Sequence, residues 1–199
     1  KIFQKNKILT PKFLKIKIDA KEINFKKIKD YLGYPLVVKP INEGSSLDVY
    51  ICNNKLSLLT KMKRMKHYRE ILLEKFIPGR EIQVAIMNKN SLGAIELKPK
   101  RKFYDYKAKY NSKAKTEHII PVKLSKKNYK KINDIALKAH RLLNCRGVTR
   151  SDFKFYKNKF YLLELNTQPG MTDLSLVPEI AAYKGIKFRS LINWMINDA

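Results

Sequence analysis

The chain has 199 residues, of which 44% are hydrophobic, and this excludes a disordered chain and allows one large domain or two small ones. Its apolar runs fall far short of the ~20 residues that a membrane-spanning helix needs, and its two cysteines cannot build a disulfide framework, so we expect a cytoplasmic protein without membrane insertion. The net charge of +26 suggests anionic ligands, but the lysines are spread evenly and no arginine cluster stands out, so nucleic-acid binding is not expected as the main function.

The hydrophobic pattern predicts a mixed α+β chain with antiparallel strand pairs. In chain order it predicts a helix at 20–32 capped by Asp19, strands at 35–39 and 48–52, a helix at 54–67, strands at 70–76 and 80–88, a helix from the Ser125 cap to about residue 144, strands at 148–156 and 160–166, and helices at 175–183 and 187–196.

Residues 99–117 have a different character, because Lys, Tyr, Asn and Ser dominate and no stable period is present. Long irregular segments inside compact domains are often functional. The sequence therefore predicts a long functional loop here.

A polar hairpin is predicted on the last two strands. Arg150 and Asp152 are two residues apart, as are Glu164 and Asn166, so each pair lies on one side of its strand. If Asp152 pairs with Glu164, all four side chains share one face, and residues 157–159 form a three-residue loop. A two-residue turn would instead place Asp152 and Glu164 on opposite faces.

Three of these side chains are oxygen donors of the kind that Mg²⁺ prefers. The alternative from these residues alone is a solvated polar face that holds an arginine–carboxylate pair. Both interpretations stay open at this point.

The segment 164–172, with the sequence ELNTQPGMT, resembles the metal-binding segment of D-alanine–D-alanine ligases, which are members of the ATP-grasp superfamily. Other parts of the chain resemble this family in the same order: Lys39-Pro40 with residues 43–46, residues 74–77 with Gly79 and Glu81, residues 103–110, residues 150–152 and residues 175–178. Each motif alone is weak, but together they span nearly the whole chain.

The resemblance implies an α+β ATP-grasp fold, in which two α/β subdomains with antiparallel sheets sandwich the nucleotide. Residues 1–74 would form the central subdomain, and residues 75–199 the C-terminal one. The family also has an N-terminal domain, which this sequence lacks, so we expect a fragment that alone can be inactive. A homodimer is expected for the complete protein.

For ATP, the resemblance implies a role for each of several residues. Lys39 would contact the phosphates, Glu81 would accept hydrogen bonds from the ribose, and Lys109 would contact the transferred phosphate. The adenine hinge would consist of Glu74, Lys75, Phe76 and Ile77. Without the family, Lys39 would be interpreted as a lysine whose stem packs while its head reaches water.

For the metal and the reaction, the resemblance implies a second set. The Mg²⁺ ligands would be Asp152, Glu164 and Asn166, with Mn²⁺ as an alternative ion. The first substrate would be contacted by Ser45 and Tyr110, the tetrahedral oxyanion by Arg150, and the carboxylate of the second substrate by Ser175 and Leu176.

The activity so implied is the ATP-dependent joining of two D-alanine molecules through a D-alanyl phosphate, which supplies a dipeptide for peptidoglycan. One alternative is another ATP-grasp ligase that joins a different carboxylate and amine. The others are a basic nucleic-acid-binding module and a catalytically inactive scaffold.

Overall fold

A computed structural model describes residues 1–18, 23–44, 46–98, 116–172 and 175–198. The chain packs as two compact units: a first unit of Pro11–Ile77, and a second unit of Lys1–Thr10, Pro78–Lys98 and the described residues from Glu117 onward. The subdomain boundary expected between residues 74 and 75 stays a prediction, because a packing unit and a subdomain need not end at the same residue.

The described part of the chain contains both helices and strands. In order they are α1 (Ile2–Lys5), β1 (Phe13–Lys17), α2 (Phe25–Leu32), β2 (Leu36–Pro40), β3 (Tyr50–Cys52), α3 (Lys55–Arg64), β4 (Glu70–Lys75), β5 (Arg80–Met87), β6 (Asn90–Lys98), β7 (Glu117–Ile119), α4 (Lys126–Leu142), β8 (Val148–Tyr156), β9 (Lys159–Asn166), α5 (Leu176–Tyr183) and α6 (Phe188–Asp198). Among the described residues, none of the helices combines the length and the apolar character that crossing a membrane demands.

The first unit is a four-stranded antiparallel sheet in the order β1-β4-β2-β3, with α2 and α3 packed on it. Alternate residues of β2 are buried, as expected for a strand with one face on a core. The buried side chains of this core are Ile28, Leu32, Leu36, Val38, Cys52, Leu58, Met62, Met65, Ile71 and Leu73.

Helix α2 begins later than predicted. Its cap is Asn24, whose side chain accepts the backbone N–H of Lys27 at 2.8 Å, so the helix starts at Phe25 and not near residue 20. The expected cap Asp19 lies outside the described residues. The helix stops at Gly33, as predicted, where φ is 70°.

The second unit is a five-stranded antiparallel sheet in the order β7-β6-β5-β8-β9. Helix α4 covers one face, where Ile132, Ala136 and Ala139 pack on apolar residues of β5, β8 and β9. Helices α5 and α6 pack at one end of the opposite face, against residues such as Ala85 and Val148. Each face therefore has its own apolar cluster.

Four described elements were not predicted from the sequence: α1, β1, β6 and β7. Strand β6 is buried at six consecutive positions from Leu92 to Leu97, so its residues do not show the alternation that marks a half-exposed strand. Strand β7 (Glu117–Ile119) pairs with β6, whereas the predicted loop extended to residue 117 and no strand was predicted after it.

Gly79 is the second residue after the chain enters the second unit at Pro78, and a side chain does not fit at its position. Its φ is 108°, and a Cβ atom built on it would lie 2.3 Å from the backbone oxygen of Phe155. A backbone oxygen in a paired strand cannot move aside cheaply, so this turn requires glycine.

We expect Gly79→Ala to lower the free energy of unfolding by about 2–5 kcal/mol, since it adds both backbone strain and a steric overlap. Urea unfolding monitored by circular dichroism measures the change. Gly44→Ala is the matched control, because a Cβ at Gly44 meets nothing within 4 Å. Equal stability of the two variants would contradict the steric argument.

His140 is a buried histidine that ties α4 to the sheet. Its Nδ1 lies 2.9 Å from the hydroxyl of Thr149 on β8. Burial, with a smaller effect of the neighbouring Arg141 charge, lowers the pKa of His140 below 6.5, so the folded protein favours the neutral ring.

A lowered histidine pKa predicts a specific pH dependence of stability. Above the unfolded pKa of 6.5 the ring is neutral in both states; below it the unfolded state takes up the proton first, and stability is lost as the pH falls. Between about pH 7.5 and about pH 5.5 we expect wild type to lose more stability than His140→Gln does. Identical slopes in urea unfolding across this range would refute the role of His140.

Candidate functional site

One face of the second unit's sheet carries a row of polar side chains. Gln83 on β5 and Glu164 on β9 both lie directly opposite Asp152 on β8. Directly opposed residues of antiparallel strands point to the same side of the sheet. The set that follows from this pairing, which we call the polar face, comprises Glu81, Gln83, Arg150, Asp152, Lys154, Glu164 and Asn166.

The polar face shares its side of the sheet with the cluster under α5 and α6. Ala85, which belongs to that cluster, lies directly opposite Arg150. Apolar packing therefore covers one end of the strands, and the polar residues follow where that packing stops.

The predicted pairing of the β8–β9 hairpin is confirmed, but the predicted loop is wrong. Asp152 pairs with Glu164, whereas Tyr156 pairs with Lys159 across a two-residue turn. Both turn residues, Lys157 and Asn158, have positive φ, at 47° and 58°, which suits the twist of a tight hairpin.

A β-bulge resolves the apparent conflict between the short turn and the shared face. Phe153 pairs with Leu162, and the next pair is Asp152 with Glu164, so Leu163 is an extra residue on β9. Because the bulge shifts the alternation by one residue, Glu164 returns to the face of Asp152. A two-residue turn and a shared face, predicted to exclude each other, are incompatible only in a hairpin without a bulge.

Arg150 and Asp152 form a bidentate ion pair along β8. Arg150 Nε donates to Asp152 Oδ1 at 2.7 Å, and Nη2 donates to Oδ2 at 2.9 Å. Such parallel hydrogen bonds fix the plane of both groups. The side chains are 14% and 9% exposed, so the pair is mostly shielded from water and its orientation is well defined.

The donor set of the polar face fits a hard cation. Asp152 and Glu164 are cross-strand neighbours, and Asn166 lies one step further along β9, opposite Arg150. The Asn166 side-chain oxygen accepts the backbone N–H of Gln168 at 3.0 Å, which orients it and leaves its second lone pair. Within the described ranges, no group of three or more His, Cys, Asp and Glu residues could hold a metal, so a site here needs the amide oxygen of Asn166.

Glu81, the expected ribose ligand, is held by two residues that the sequence analysis did not identify. Lys154 Nζ lies 2.8 Å from Glu81 Oε2, and Gln83 Nε2 donates to Glu81 Oε1 at 3.2 Å. Lys154 is directly opposite Glu81, and Gln83 is two residues along the same strand. Gln83 and Lys154 could have been predicted from the sequence, because each is two residues from a predicted site residue and so lies on the same side of its strand.

Ser175, expected to hold the second substrate, lies at the start of α5. Its Oγ accepts the backbone N–H of Thr172 at 3.0 Å and lies 2.9 Å from the Thr172 hydroxyl. It makes no side-chain hydrogen bond to its own helix. Ser175 therefore holds the preceding segment close to the first amides of α5, which begin at Leu176.

In the first unit, two residues expected to contact ATP are bonded to each other. Lys39 Nζ on β2 lies 2.8 Å from Glu74 Oε2 on β4, and their side chains are 19% and 11% exposed. A lysine this far removed from water requires an anion. Glu74 supplies this anion. The alternative interpretation, in which the Lys39 ammonium group reaches water, is therefore not what the structure shows.

The hinge after β4 is anchored through its backbone. The N–H of Lys75 donates to Lys12 O at 2.8 Å, and that of Phe76 donates to Pro35 O at 3.3 Å. Ile77 follows and is buried. These contacts fix the path of the segment that was expected to hold adenine.

Asp48 follows the motif at residues 43–46 and was not predicted as a site residue, although it binds two tyrosine side chains. Its carboxylate accepts hydrogen bonds from Tyr50 at 2.6 Å and from Tyr68 at 2.9 Å. Chiefly the Tyr50 hydrogen bond lowers the pKa of Asp48, while burial and the Asp48 hydrogen bond raise the pKa of Tyr68 to about 12. Asp48 has a φ of 52°, so the chain after Ser46 is held in a left-handed turn.

Three predicted site residues, Ser45, Lys109 and Tyr110, lie outside the described residues. Their roles stay predictions. The remaining predicted residues are divided between the two units.

The chain matches one protein family and many relatives. A family model described as D-ala D-ala ligase C-terminus matches residues 2–197. The D-alanine–D-alanine ligase of Pelagibacter ubique strain HTCC1062 is 64% identical over 200 residues, which cover 100% of this chain and 66% of that protein. The same enzyme of Wolbachia pipientis wMel is 41% identical and covered at 100% and 62%.

Solved structures give the same result. The D-alanine–D-alanine ligase of Bacillus anthracis superimposes with a TM-score of 0.87 at 31% identity, over 99% of this chain and 64% of that one. Its complex with ATP gives 0.84 at 28% identity, over 99% and 62%.

The two antiparallel sheets with their helices are thus an ATP-grasp fold, and the predicted fold class is confirmed. Within this class, the chain belongs to the D-alanine–D-alanine ligase family, in the part that the family description calls the C-terminus. The chain spans about two thirds of the length of the curated relatives that match it over its whole length.

We expect the Lys39–Glu74 pair to be strongly coupled, since both charges are largely removed from water. A double-mutant cycle with Lys39→Met and Glu74→Gln, measured by urea unfolding, should give a coupling free energy of about 1–3 kcal/mol. The matched control is the Lys15–Glu70 pair, which is much more exposed and should give below about 1 kcal/mol. Equal coupling in the two cycles would show that burial does not set the strength of this pair.

Proposed function

We propose that this chain is the nucleotide-binding and catalytic part of a D-alanine–D-alanine ligase, which joins two D-alanine molecules at the expense of ATP. One observation carries the proposal: Arg150, Asp152, Glu164 and Asn166 converge on one face, in a chain that is 64% identical over its whole length to such a ligase. The dipeptide product would serve peptidoglycan synthesis.

ATP is the proposed co-substrate, and the ATP complex of the Bacillus anthracis relative supports this assignment. Lys39 neutralises phosphate charge, and Lys109 contacts the phosphate that is transferred. Glu81 accepts hydrogen bonds from the ribose. The residues proposed to hold adenine are Glu74, Lys75, Phe76 and Ile77.

The proposed metal ligands are Asp152, Glu164 and Asn166, for Mg²⁺ or alternatively Mn²⁺. A bound divalent ion would supply charge stabilisation to phosphate oxygens. The bidentate contact from Arg150 fixes the orientation of the Asp152 carboxylate, and this supports its proposed role as a ligand.

The chemistry overcomes the poor reactivity of a carboxylate toward an amine. A carboxylate oxygen of the first D-alanine attacks the γ-phosphorus of ATP, an O–P bond forms, and the bond to the β-phosphate oxygen breaks with release of ADP. The amine of the second D-alanine attacks the acyl carbon, loses a proton and expels inorganic phosphate. Arg150 donates to the oxyanion formed in this second step.

The substrate contacts follow from the same proposal. Ser45 and Tyr110 hold the first D-alanine, and Ser175 with the backbone of Leu176 holds the carboxylate of the second. Helix α5 starts at Leu176, so its first amide groups are suited to a carboxylate.

We also propose that the protein acts as a homodimer in the cytoplasm. The dimer rests on the family resemblance. The compartment is supported by the two cysteines, since Cys52 and Cys145 are unpaired thiols, as expected in a reducing environment.

The proposal predicts D-alanine-dependent release of phosphate from Mg-ATP, with dipeptide formed in equal amount, and no reaction with L-alanine. The assay uses the protein at the full length of its relatives. Asp152→Asn should lower the rate by at least about 100-fold, because it removes a charge from the reacting centre. Lys130→Met, which removes an exposed ion pair on α4, is the control and should leave the rate unchanged.

The outcomes separate the candidates. Turnover with another carboxylate but not with D-alanine would assign the protein to a different ATP-grasp ligase. Absence of ATP binding would refute the proposal altogether.

A further inference from the structure

His118 on β7 and Glu179 on α5 form a hydrogen-bonded pair between two elements that are far apart in the chain. His118 Nδ1 lies 2.7 Å from Glu179 Oε2, and the side chains are 29% and 32% exposed, so water reaches the pair only in part. A carboxylate only accepts hydrogen bonds, so Nδ1 carries the hydrogen and donates it. The pair is therefore a directional contact between the edge of the sheet and the helix.

The strand register places His118 on the side of the sheet that carries the polar face. His118 lies directly opposite Leu97 on β6, and Leu97 lies directly opposite Glu81 on β5. Directly opposed residues of antiparallel strands point to the same side. Helix α5 packs on this side as well, so the pair fastens the helix to the sheet beside the polar face.

Glu179 belongs to the first turn of α5, next to the two residues proposed to hold the carboxylate of the second D-alanine, Ser175 and Leu176. We call these two residues the acceptor site. The N–H of Glu179 donates to Ser175 O at 3.2 Å, which closes this turn. Because residues four apart lie on the same side of a helix, Glu179 follows Ser175 one turn along that side. The contact with His118 therefore acts on the turn that carries the acceptor site.

Apolar packing holds α5 on the sheet without fixing the angle of its first turn. Val177, Ile180 and Ala181 are fully buried against the sheet, but the burial of apolar surface has no preferred direction. A hydrogen bond does depend on angle. Placement matters here, because a displacement of about 1 Å at a substrate site can lower a rate about 100-fold. The His118–Glu179 contact supplies the directional restraint that the apolar contacts lack.

We propose that His118 and Glu179 are positioning residues for the second D-alanine, and that their contact sets the first turn of α5 at the angle at which the acceptor site binds the substrate carboxylate. Neither residue touches the substrate or the reacting atoms. The inference rests on the proposed function, since it takes D-alanine as the acceptor. Loss of the contact weakens binding of the second D-alanine and leaves phosphoryl transfer to the first one intact.

Two assays separate the substrates, both with the protein at the full length of its relatives. In the first, hydroxylamine replaces the second D-alanine. Its nitrogen attacks the acyl carbon of D-alanyl phosphate, loses a proton and expels inorganic phosphate, which leaves a hydroxamate. Hydroxylamine has no carboxylate, so this assay does not use the acceptor site and gives the KM of the first D-alanine. With that constant fixed, the rates of dipeptide formation give the KM of the second.

His118→Leu and Glu179→Leu should each raise the KM of the second D-alanine about fivefold, with kcat and the hydroxamate assay unchanged. The double variant should also show about fivefold, since the two residues act through one contact. His118→Asn should keep nearly the wild-type KM, because the amide nitrogen of asparagine takes the place of Nδ1. The control Arg146→Met removes another contact of a C-terminal helix, the 3.6 Å pair with Asp198, and should change neither assay.

The outcomes distinguish the inference from the function on which it rests. Effects that multiply to about 25-fold in the double variant would show that His118 and Glu179 do not act through their contact, and would overturn the inference. Equal losses in the hydroxamate and dipeptide assays would show a general structural role and overturn it too, as would an unchanged KM in every variant. A wild-type protein that forms neither hydroxamate nor dipeptide from D-alanine would instead refute the proposed function.

Discussion

The pairing of strand β8 is the constraint on which the rest of the site depends. This strand is hydrogen-bonded on both sides, to β5 and to β9, and it contributes Arg150, Asp152 and Lys154 to the polar face. A shift of either neighbour by one residue would turn Glu81 or Glu164 to the other side of the sheet, into the core under α4. The strand pairing of the sheet therefore determines which side chains lie together on the polar face.

Three carboxylates of the candidate site form ion pairs with lysine or arginine side chains. Glu74 pairs with Lys39, Glu81 with Lys154, and Asp152 with Arg150. In a chain with 43 basic and 17 acidic residues, this arrangement neutralises charges that would otherwise be buried and uncompensated. A phosphate that bound Lys39 would replace the Glu74 carboxylate as the partner of its ammonium group. Lys39 would therefore remain paired with an anion when it binds nucleotide.

Much of the fold could be predicted from the sequence, because most elements show a clear period or a strong cap. Ser125 caps α4 as expected, and the Asp152–Glu164 pairing followed from two-residue spacing. The features that were not predicted depend on information beyond a local hydrophobic period. Strand β6 is buried on both faces, and the bulge at Leu163 is a compromise between turn geometry and core packing. Gln83 was not predicted as a site residue, because the sequence does not show which side chains a buried glutamine contacts.

The bulge at Leu163 has a consequence for comparing this hairpin with those of its relatives. A three-residue loop without a bulge and a two-residue turn with one bulge contain the same number of residues between Asp152 and Glu164. Two relatives can thus align without a gap and still differ in backbone path through the hairpin. A single-residue insertion or deletion here must likewise be absorbed by the loop or by the gain or loss of a bulge, because the pairing of Asp152 with Glu164 places both carboxylates on one face.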